Sequence, residues 1–298
     1  MRKAFRDIRK LDWKNYPLED IGRLLYEFGK FPMMVTDYDE GRIIHRARPI
    51  NDNVIVSNVS ELSYKPQVAN LTHQRASTPS MTMFYGAVIP ENMDSAGINN
   101  GRITSAMETC SFLRNTKLDG AQRLLYGKWK VKSRISLITV LFTRFRRSNN
   151  QWIKTLSEEF YNHISTLPYE QQKKSKQINN FLSDEFSKFV GENEDYKYLI
   201  SSTFAQKCAQ NGFDSVLYPS VRTMGLGLNV AIKSSSVDEK MELISVLDCK
   251  VFKRQKQVII NNLAFCNVSE GNENFELIEI TDPDLKFSDD EIEVGLNQ

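Results

Sequence analysis

The pattern of hydrophobic and polar positions begins with an amphipathic helix. Apolar residues recur at helical spacing within PLEDIGRLLYEFGKF: Ile21, Leu24, Leu25 and Phe28. Pro17 suits the first turn of this helix, and Gly29 suits its end. We therefore interpret residues 1–40 as a helical N-terminal extension.

Further along the chain, runs of strand length flank longer helical patterns. Runs rich in β-branched and aromatic residues predict strands. These runs are GRIIHRARPI, MTMFYGAVI, DSVLYPSV, LNVAIKS, MELISVLDCKVFKR and KQVIINNLAFCNVS. A similar pattern between Trp129 and Phe145 predicts one long strand or two short ones. Helical patterns cover ITSAMETCSFLR, with Thr104 or Ser105 as its cap, and residues 151–210, with Gly212 after the last helix. Strands at both ends of a helical middle region predict an α+β fold.

The composition is that of an ordinary globular protein of one large or two modest domains, with 298 residues, of which 41% are hydrophobic. The net charge of +2 gives no support to nucleic-acid binding, and we expect the basic residues from Arg123 to Arg147 to line a solvated strand face. Four cysteines without a CxxC pair favour a reducing compartment. The chain shows neither a signal peptide nor an apolar run of the ~20 residues that a membrane span needs. We therefore expect a cytoplasmic protein without membrane contact.

The last residues form an acidic segment. Within residues 271–298, nine acidic residues are opposed only by Lys286. We predict an acidic C-terminal tail over this range, loosely ordered near its end. The main domain then extends over residues 41–270.

Polar residues at the ends of predicted strands and helices are the candidates for chemistry. They are Arg46 and Arg48 in HRARP, Arg75 in THQRAS, Tyr85 in FYGAV, Glu108 in the first turns of the ITSAMETC helix, and Ser220 and Asn229 on either side of the turn in FDSVLYPSVRTMGLGLNVAI. Taken singly, each has an ordinary explanation: a surface arginine, a polar helix face, a core tyrosine or a hairpin turn. The three histidines are too scattered to predict a metal site.

Taken together, the order of these blocks resembles the RES-domain family, which is named after an arginine, a glutamate and a serine. The blocks are HRARP, ELSYKP, QRASTPSMTMFYGAV, TSAMETC and FDSVLYPSV with GLGLNVAI, from about Arg42 to Ile232. The resemblance implies a catalytic domain over residues 41–270 with a fold similar to the ADP-ribosyltransferase toxins. It implies NAD as substrate, not as a prosthetic group. It further implies a bacterial toxin or defence effector that cleaves the nicotinamide–ribose bond, with an antitoxin or immunity protein as a partner.

The resemblance also implies roles for individual residues. Glu108, Arg46 and Ser220 would be catalytic, with the Glu108 carboxylate stabilising an oxocarbenium-like ribose. The substrate-binding residues would be Arg48, Arg75, Tyr85 and Asn229. Arginine forks suit the pyrophosphate, Tyr85 would stack on nicotinamide or ribose, and Ser220 and Asn229 would line one side of the NAD pocket.

The sequence departs from the family pattern in two places, and it leaves two alternative functions open. Gln74 replaces the usual glycine before Arg75, and residues 90–102 form a longer connection, predicted as a lid, a specificity loop or a surface elaboration. The same residues would suit a mono-ADP-ribosyltransferase that modifies a protein, or a non-catalytic nucleotide-binding module. The sequence leaves the acceptor (water, phosphate or protein) and the oligomeric state open.

Overall fold

A computed structural model describes residues 2–88, 95–115, 117–141, 151–191, 193–223, 227–255 and 257–297. These residues form a mixture of helices and strands, which confirms the predicted α+β class. The chain divides into two compact units, each built from three segments. Unit 1 comprises Met1–Tyr38, Lys65–Phe84 and Arg134–Val237, and unit 2 comprises Asp39–Tyr64, Tyr85–Ser133 and Asp238–Gln298. No helix in the described part of the chain has the length and apolar character that a membrane span requires.

Four paired strands lie in unit 1. They are β1 (Met34–Tyr38), β5 (Ile135–Thr139), β6 (Ser215–Pro219) and β7 (Leu228–Lys233). β1 is antiparallel to β5, β5 is parallel to β6, and β6 is antiparallel to β7. Strand β1 lies within residues 1–40, where the sequence pattern predicts only helix, because it is stabilised by pairing with residues far away in the chain.

The helices of unit 1 follow the sequence pattern closely. They are α1 (Arg2–Ile8), α2 (Leu18–Tyr26), α5 (Gln151–Ser165), α6 (Tyr169–Phe186) and α7 (Leu199–Gln210). Pro17 is the N-cap of α2, and Gly29 adopts a φ of +59° shortly after its end. Gly212 follows α7 with a φ of +92°. The predicted ends of both helices are therefore confirmed, since glycine adopts this left-handed backbone conformation at little cost.

Unit 2 is built mainly from long antiparallel strands. They are β2 (Ile43–Ile50), residues 85–88 of β3 (Met83–Val88), β4 (Gly120–Val131), β8 (Met241–Arg254), β9 (Gln257–Asn267) and β10 (Ile278–Glu279). They pair in the order β3-β2-β4-β8-β9-β10. The helices of unit 2 are α3 (Ser95–Thr109), α4 (Ser111–Arg114) and α9 (Asp289–Leu296). Helix α8 (Ser234–Lys240), which precedes β8, begins in unit 1 and ends in unit 2. A buried cluster that includes Ala47, Ala106, Cys110, Tyr126 and Cys249 holds α3 against the sheet.

Helix α3 begins earlier than its sequence pattern indicates. The prediction that Thr104 or Ser105 caps the helix was wrong, because both lie within a helix that begins at Ser95. Ser105 Oγ, instead of accepting a backbone N–H group at a helix end, donates to the Arg102 carbonyl oxygen within the helix at 2.9 Å. Ala106 supplies part of the buried face that stabilises the helix.

The acidic C-terminal segment is folded over much of its described length. Helix α9 begins with a capping box, in which Ser288 and Glu291 bond to each other's backbone. Ile292 and Leu296 lie one turn apart and are buried. The prediction of a loosely ordered end was therefore wrong. Acidic residues in the first turn favour this helix through its dipole, and Arg254 binds Glu293 and Asn297 near its end.

Candidate functional site

Arg46 and Arg48 lie two residues apart on β2, so their side chains leave the same face of the strand. The β2–β3 ladder pairs His45 with Ala87. One residue further on, Arg46 Nη1 donates a hydrogen bond to the Tyr85 carbonyl oxygen at 2.7 Å. Burial, and then the charge of Arg48, lower the pKa of Arg46 to about 10, which leaves the guanidinium charged at neutral pH. Strand β2 therefore carries two positive charges on one face, and one of them is bonded to the Tyr85 carbonyl oxygen.

Arg48 is held by an acidic residue that the sequence analysis did not single out. Its Nη1 donates to the Glu61 carbonyl oxygen at 2.7 Å and lies 3.2 Å from Glu61 Oε2. Glu61 stands on a short 3-10 helix, Val59–Leu62, which the Asn58 side chain caps. Both side chains of the ion pair remain more than a third exposed, so the pair contributes little to stability.

A second polar pair in unit 2 also involves the ELSYKP block. Tyr64 Oη donates to the Asp238 carboxylate, with oxygen–oxygen distances of 2.9 and 2.8 Å. Burial, and then this hydrogen bond, raise the pKa of Tyr64 to about 12. Glu61 and Tyr64 are both residues that sequence reasoning missed. Their position in a block already quoted for the family resemblance was the available signal.

Glu108 lies in the last turn of α3, and its predicted place in the first turns was wrong because the helix extends so far back. Ala106 and Cys110 belong to the buried cluster, and Glu108 is two residues from each, about 200° away around the helix. Its half-buried side chain therefore leaves the helix away from that cluster. Arg114 Nη1 donates to the carbonyl oxygens of Glu108 at 3.0 Å and Met107 at 2.8 Å, and so fixes the turn that carries Glu108.

Arg75 lies in unit 1 and is buried. Its Nη1 donates to the Phe186 carbonyl oxygen, and its Nη2 donates to that of Lys188 at 3.2 Å. The guanidinium carbon is also 5.3 Å from the centre of the Tyr198 ring, a cation–π distance. Arg75 thus satisfies carbonyl groups at the C-terminal end of α6. Its predicted contact with a pyrophosphate stays a prediction.

Ser220 is fully buried and holds the turn between β6 and β7. Its backbone N–H donates to the Gly227 carbonyl oxygen at 2.8 Å, and its Oγ accepts the Thr223 N–H at 3.2 Å. Thr223 Oγ1 in turn accepts the Gly227 N–H at 3.2 Å. Ser220 therefore organises this turn through its hydroxyl group. Residues 224–226, which include the first glycine of GLG, lie outside the described residues.

Two of the predicted site residues, Ser220 and Asn229, lie where strands β6 and β7 meet the turn between them. Asn229 is opposite Tyr218 in the β6–β7 register, and Ser220 follows Tyr218 by two residues, so all three share one face. The Tyr218 ring centre is 5.3 Å from that of Phe186, and the Phe186 carbonyl oxygen binds Arg75. Phe186 thus contacts both Tyr218, through its ring, and Arg75, through its carbonyl oxygen.

Parts of two predicted segments lie outside the described residues. Of the connection over residues 90–102, residues 90–94 lie outside, and residues 95–102 belong to α3. The end of the basic segment, with Arg144 and Arg146, also lies outside. Within the described ranges, no group of three or more His, Cys, Asp or Glu side chains is placed to hold a metal ion.

The comparisons with known proteins add no relative. No protein-family model matches the sequence, and no curated protein matches it. The resemblance to the RES-domain family therefore rests on the sequence blocks and their order.

Proposed function

We propose that the chain cleaves the bond between nicotinamide and ribose in NAD, with water or phosphate as the acceptor. Besides the sequence resemblance, one observation supports this most directly: Arg46 and Arg48 share a face of β2, and Arg46 is half-buried. A planar guanidinium group can bind two oxygens of one phosphate through parallel hydrogen bonds. Burial strengthens the attraction between the two charges. A pyrophosphate such as that of NAD suits two neighbouring arginines.

The chemistry requires a carboxylate as well as cations. When the bond from ribose C1′ to the nicotinamide nitrogen breaks, its electron pair stays on nicotinamide, which leaves as a neutral molecule. The ribose becomes an oxocarbenium-like cation, which the Glu108 carboxylate would stabilise. Water or phosphate then adds to C1′ through an oxygen, and water loses a proton in doing so. Helix α3, which carries Glu108, packs against the face of β2 that carries Ala47. Arg46 and Arg48 leave the opposite face of that strand, so the proposal requires NAD to reach Glu108 and the arginines from different sides of β2.

Arg48 would exchange one anionic partner for another when NAD binds. Its pair with Glu61 is exposed, and such a pair contributes about 1 kcal/mol or less. A pyrophosphate offers charge-assisted hydrogen bonds of about 1.5–3 kcal/mol. The substrate would therefore displace Glu61 from Arg48 at small cost.

We include in the same proposal the more specific inferences that the family resemblance implies. They are the ADP-ribosyltransferase-like fold, the action as a bacterial toxin or defence effector in the cytoplasm, the antitoxin or immunity partner, and the contacts of Arg75, Tyr85, Ser220 and Asn229 with NAD. The shared face of Tyr218, Ser220 and Asn229 in unit 1 is compatible with these contacts.

The test is to incubate the purified protein with NAD, with and without phosphate, and to identify the products by mass. Hydrolysis gives ADP-ribose, and phosphorolysis gives its phosphorylated counterpart. Label attached to a protein would favour the ADP-ribosyltransferase alternative, and NAD binding without turnover would favour the binding module. Intact NAD with no measurable binding would contradict the proposal.

Variants separate the proposed roles. Glu108→Gln should lower turnover about a hundredfold or more through lost charge stabilisation, whereas Glu158→Gln, on an exposed face of α5, should leave it unchanged. Arg46→Ala should lower kcat/KM about tenfold to a hundredfold. Arg23→Ala, which removes a surface arginine of α2, is its control. Unchanged turnover in both Glu108→Gln and Arg46→Ala would rule out these roles.

A further inference from the structure

A groove in unit 1 is lined by none of the candidate NAD residues. Helices α2 and α7 pack together, and the groove runs between them over strands β1 and β5, with a volume of about 680 Å³. Val35 on β1 and Ile138 on β5 are direct cross-strand partners and form part of its floor. Small-molecule sites in proteins typically have volumes of about 300–1,000 Å³.

The lining of the groove is mainly apolar. Leu25 on α2, Phe204 on α7 and Phe28, just after α2, line it and are buried in the core. Tyr26 and Val35 also line it, and they are 82% and 44% exposed. Apolar surface thus continues from the core to the mouth of the groove, where it remains in contact with water. An apolar ligand that covers it would gain the free energy of removing that surface from water.

The charges at the groove are all positive. Lys30 and Lys207 belong to the described lining, which includes no acidic residue. Among the described residues, no carboxylate forms an ion pair with either lysine. A third lysine, Lys174, reaches the same place, because its Nζ donates to the Lys30 carbonyl oxygen at 2.8 Å. The groove therefore combines an apolar interior with ammonium groups that can accept an anion.

We propose that this groove binds a medium-chain aliphatic carboxylate. The alkyl chain lies over the Val35–Ile138 floor between α2 and α7, and the carboxylate pairs with Lys207 and Lys30. Charge complementarity selects an anionic ligand over a neutral or cationic one. This binding site is independent of NAD cleavage.

The test measures binding of decanoate to the full chain by calorimetry, below the concentration at which decanoate forms micelles. Saturable binding of one decanoate per chain is expected. Octanoate should bind about fifteenfold more weakly, because it lacks two methylene groups and each buried methylene group contributes about 0.8 kcal/mol, or about fourfold. Decyltrimethylammonium, with the same chain and the opposite charge, should not bind detectably. Equal binding of decanoate and the ammonium compound would overturn the proposal.

Two variants and their controls locate the site. Val35→Trp fills the groove from an exposed position and should abolish decanoate binding, whereas Val258→Trp, at a similarly exposed position on β9, should not. Lys207→Met should weaken binding about twofold to fivefold, as expected for a partly exposed ion pair, and Lys173→Met on α6 should not. Circular dichroism checks that each variant is folded.

Three results would overturn the proposal. The first is the absence of saturable decanoate binding to the wild-type chain, and the second is binding that survives Val35→Trp. The third is a dimer in light scattering that Val35→Trp dissociates, because a second copy of the chain would then cover the groove.

Discussion

Buried His45 predicts a loss of stability in weak acid. His45 lies on β2 and is 4% exposed; its cross-strand partner on β4 is Lys128, and Arg102 of α3 is close by. Burial, and then the charges of Arg102 and Lys128, lower the pKa of His45 from 6.5 to about 4. The unfolded chain therefore takes up this proton more readily than the folded protein. The free energy of unfolding must fall as the pH is lowered from about 6.5 towards 4.

The size of the effect follows from the two pKa values. One pKa unit corresponds to about 1.4 kcal/mol, so a difference of about 2.5 units between the unfolded and folded chains costs about 3 kcal/mol below pH 4. At pH 5, where the unfolded His45 is already protonated and the folded one is not, the loss is about 2 kcal/mol. Such a loss is a large part of the ~5–15 kcal/mol that stabilises a typical domain.

Urea unfolding at pH 7.5 and pH 5 measures this loss. The wild-type chain should lose about 2 kcal/mol more than His45→Gln between the two pH values, because glutamine does not titrate. Carboxylates contribute equally to both proteins, so the difference isolates His45. His163→Gln, which removes an exposed histidine on α5, should keep the wild-type dependence. Parallel pH profiles for wild type and His45→Gln would refute the reasoning.

Three further substitutions should lower the stability of the protein, because each removes a partner from a hydrogen bond or an ion pair. Asp248→Ala leaves the Arg123 guanidinium without its buried carboxylate and should cost about 3–5 kcal/mol in chemical unfolding; a cost below 1 kcal/mol would contradict the burial of this pair. Ser220→Ala leaves the buried Thr223 N–H without its acceptor and should cost about 1–3 kcal/mol, seen as a lower Tm. Arg75→Met removes donors from two carbonyl groups at the end of α6 and should destabilise the chain by a similar amount, with faster hydrogen exchange expected first at the end of that helix.

The elements that could be predicted are those whose signals are local. Helix α2 has its cap, its apolar spacing and its glycine within a dozen residues, and its ends are where the pattern places them. Strand β1 has no such signal, because it depends on pairing with β5. Helix α9 was missed for a related reason. Its acidic residues are typical of disorder in the sequence, whereas the capping box of Ser288 and Glu291 and the burial of Ile292 and Leu296 stabilise a helix.

In the candidate site, too, the sequence predicts only what neighbouring residues determine. The sequence marks Arg46 and Arg48 as a pair because they are close neighbours in one strand, and the structure keeps them on one face. It cannot show that Arg75 binds the end of α6, because its partner Phe186 is 111 positions away. Glu61 was missed because nothing local connects it to Arg48. Partners that are distant in the sequence decide what each polar residue does.

The structural contacts of the candidate residues determine which variants can show that a residue is catalytic. Ser220 and Arg75 both satisfy backbone groups in unit 1, so a loss of NAD turnover after either substitution would have two explanations. Ser220→Ala must therefore be compared at a temperature well below its own Tm. If its turnover is then normal, the hydroxyl group acts only on the turn. Glu108 is the sharper test, because its carbonyl oxygen accepts from Arg114 and is the same in the Glu108→Gln variant. Glu108→Gln preserves those contacts and the shape of the side chain and removes only the charge, so a loss of turnover with unchanged stability would assign the carboxylate to the chemistry.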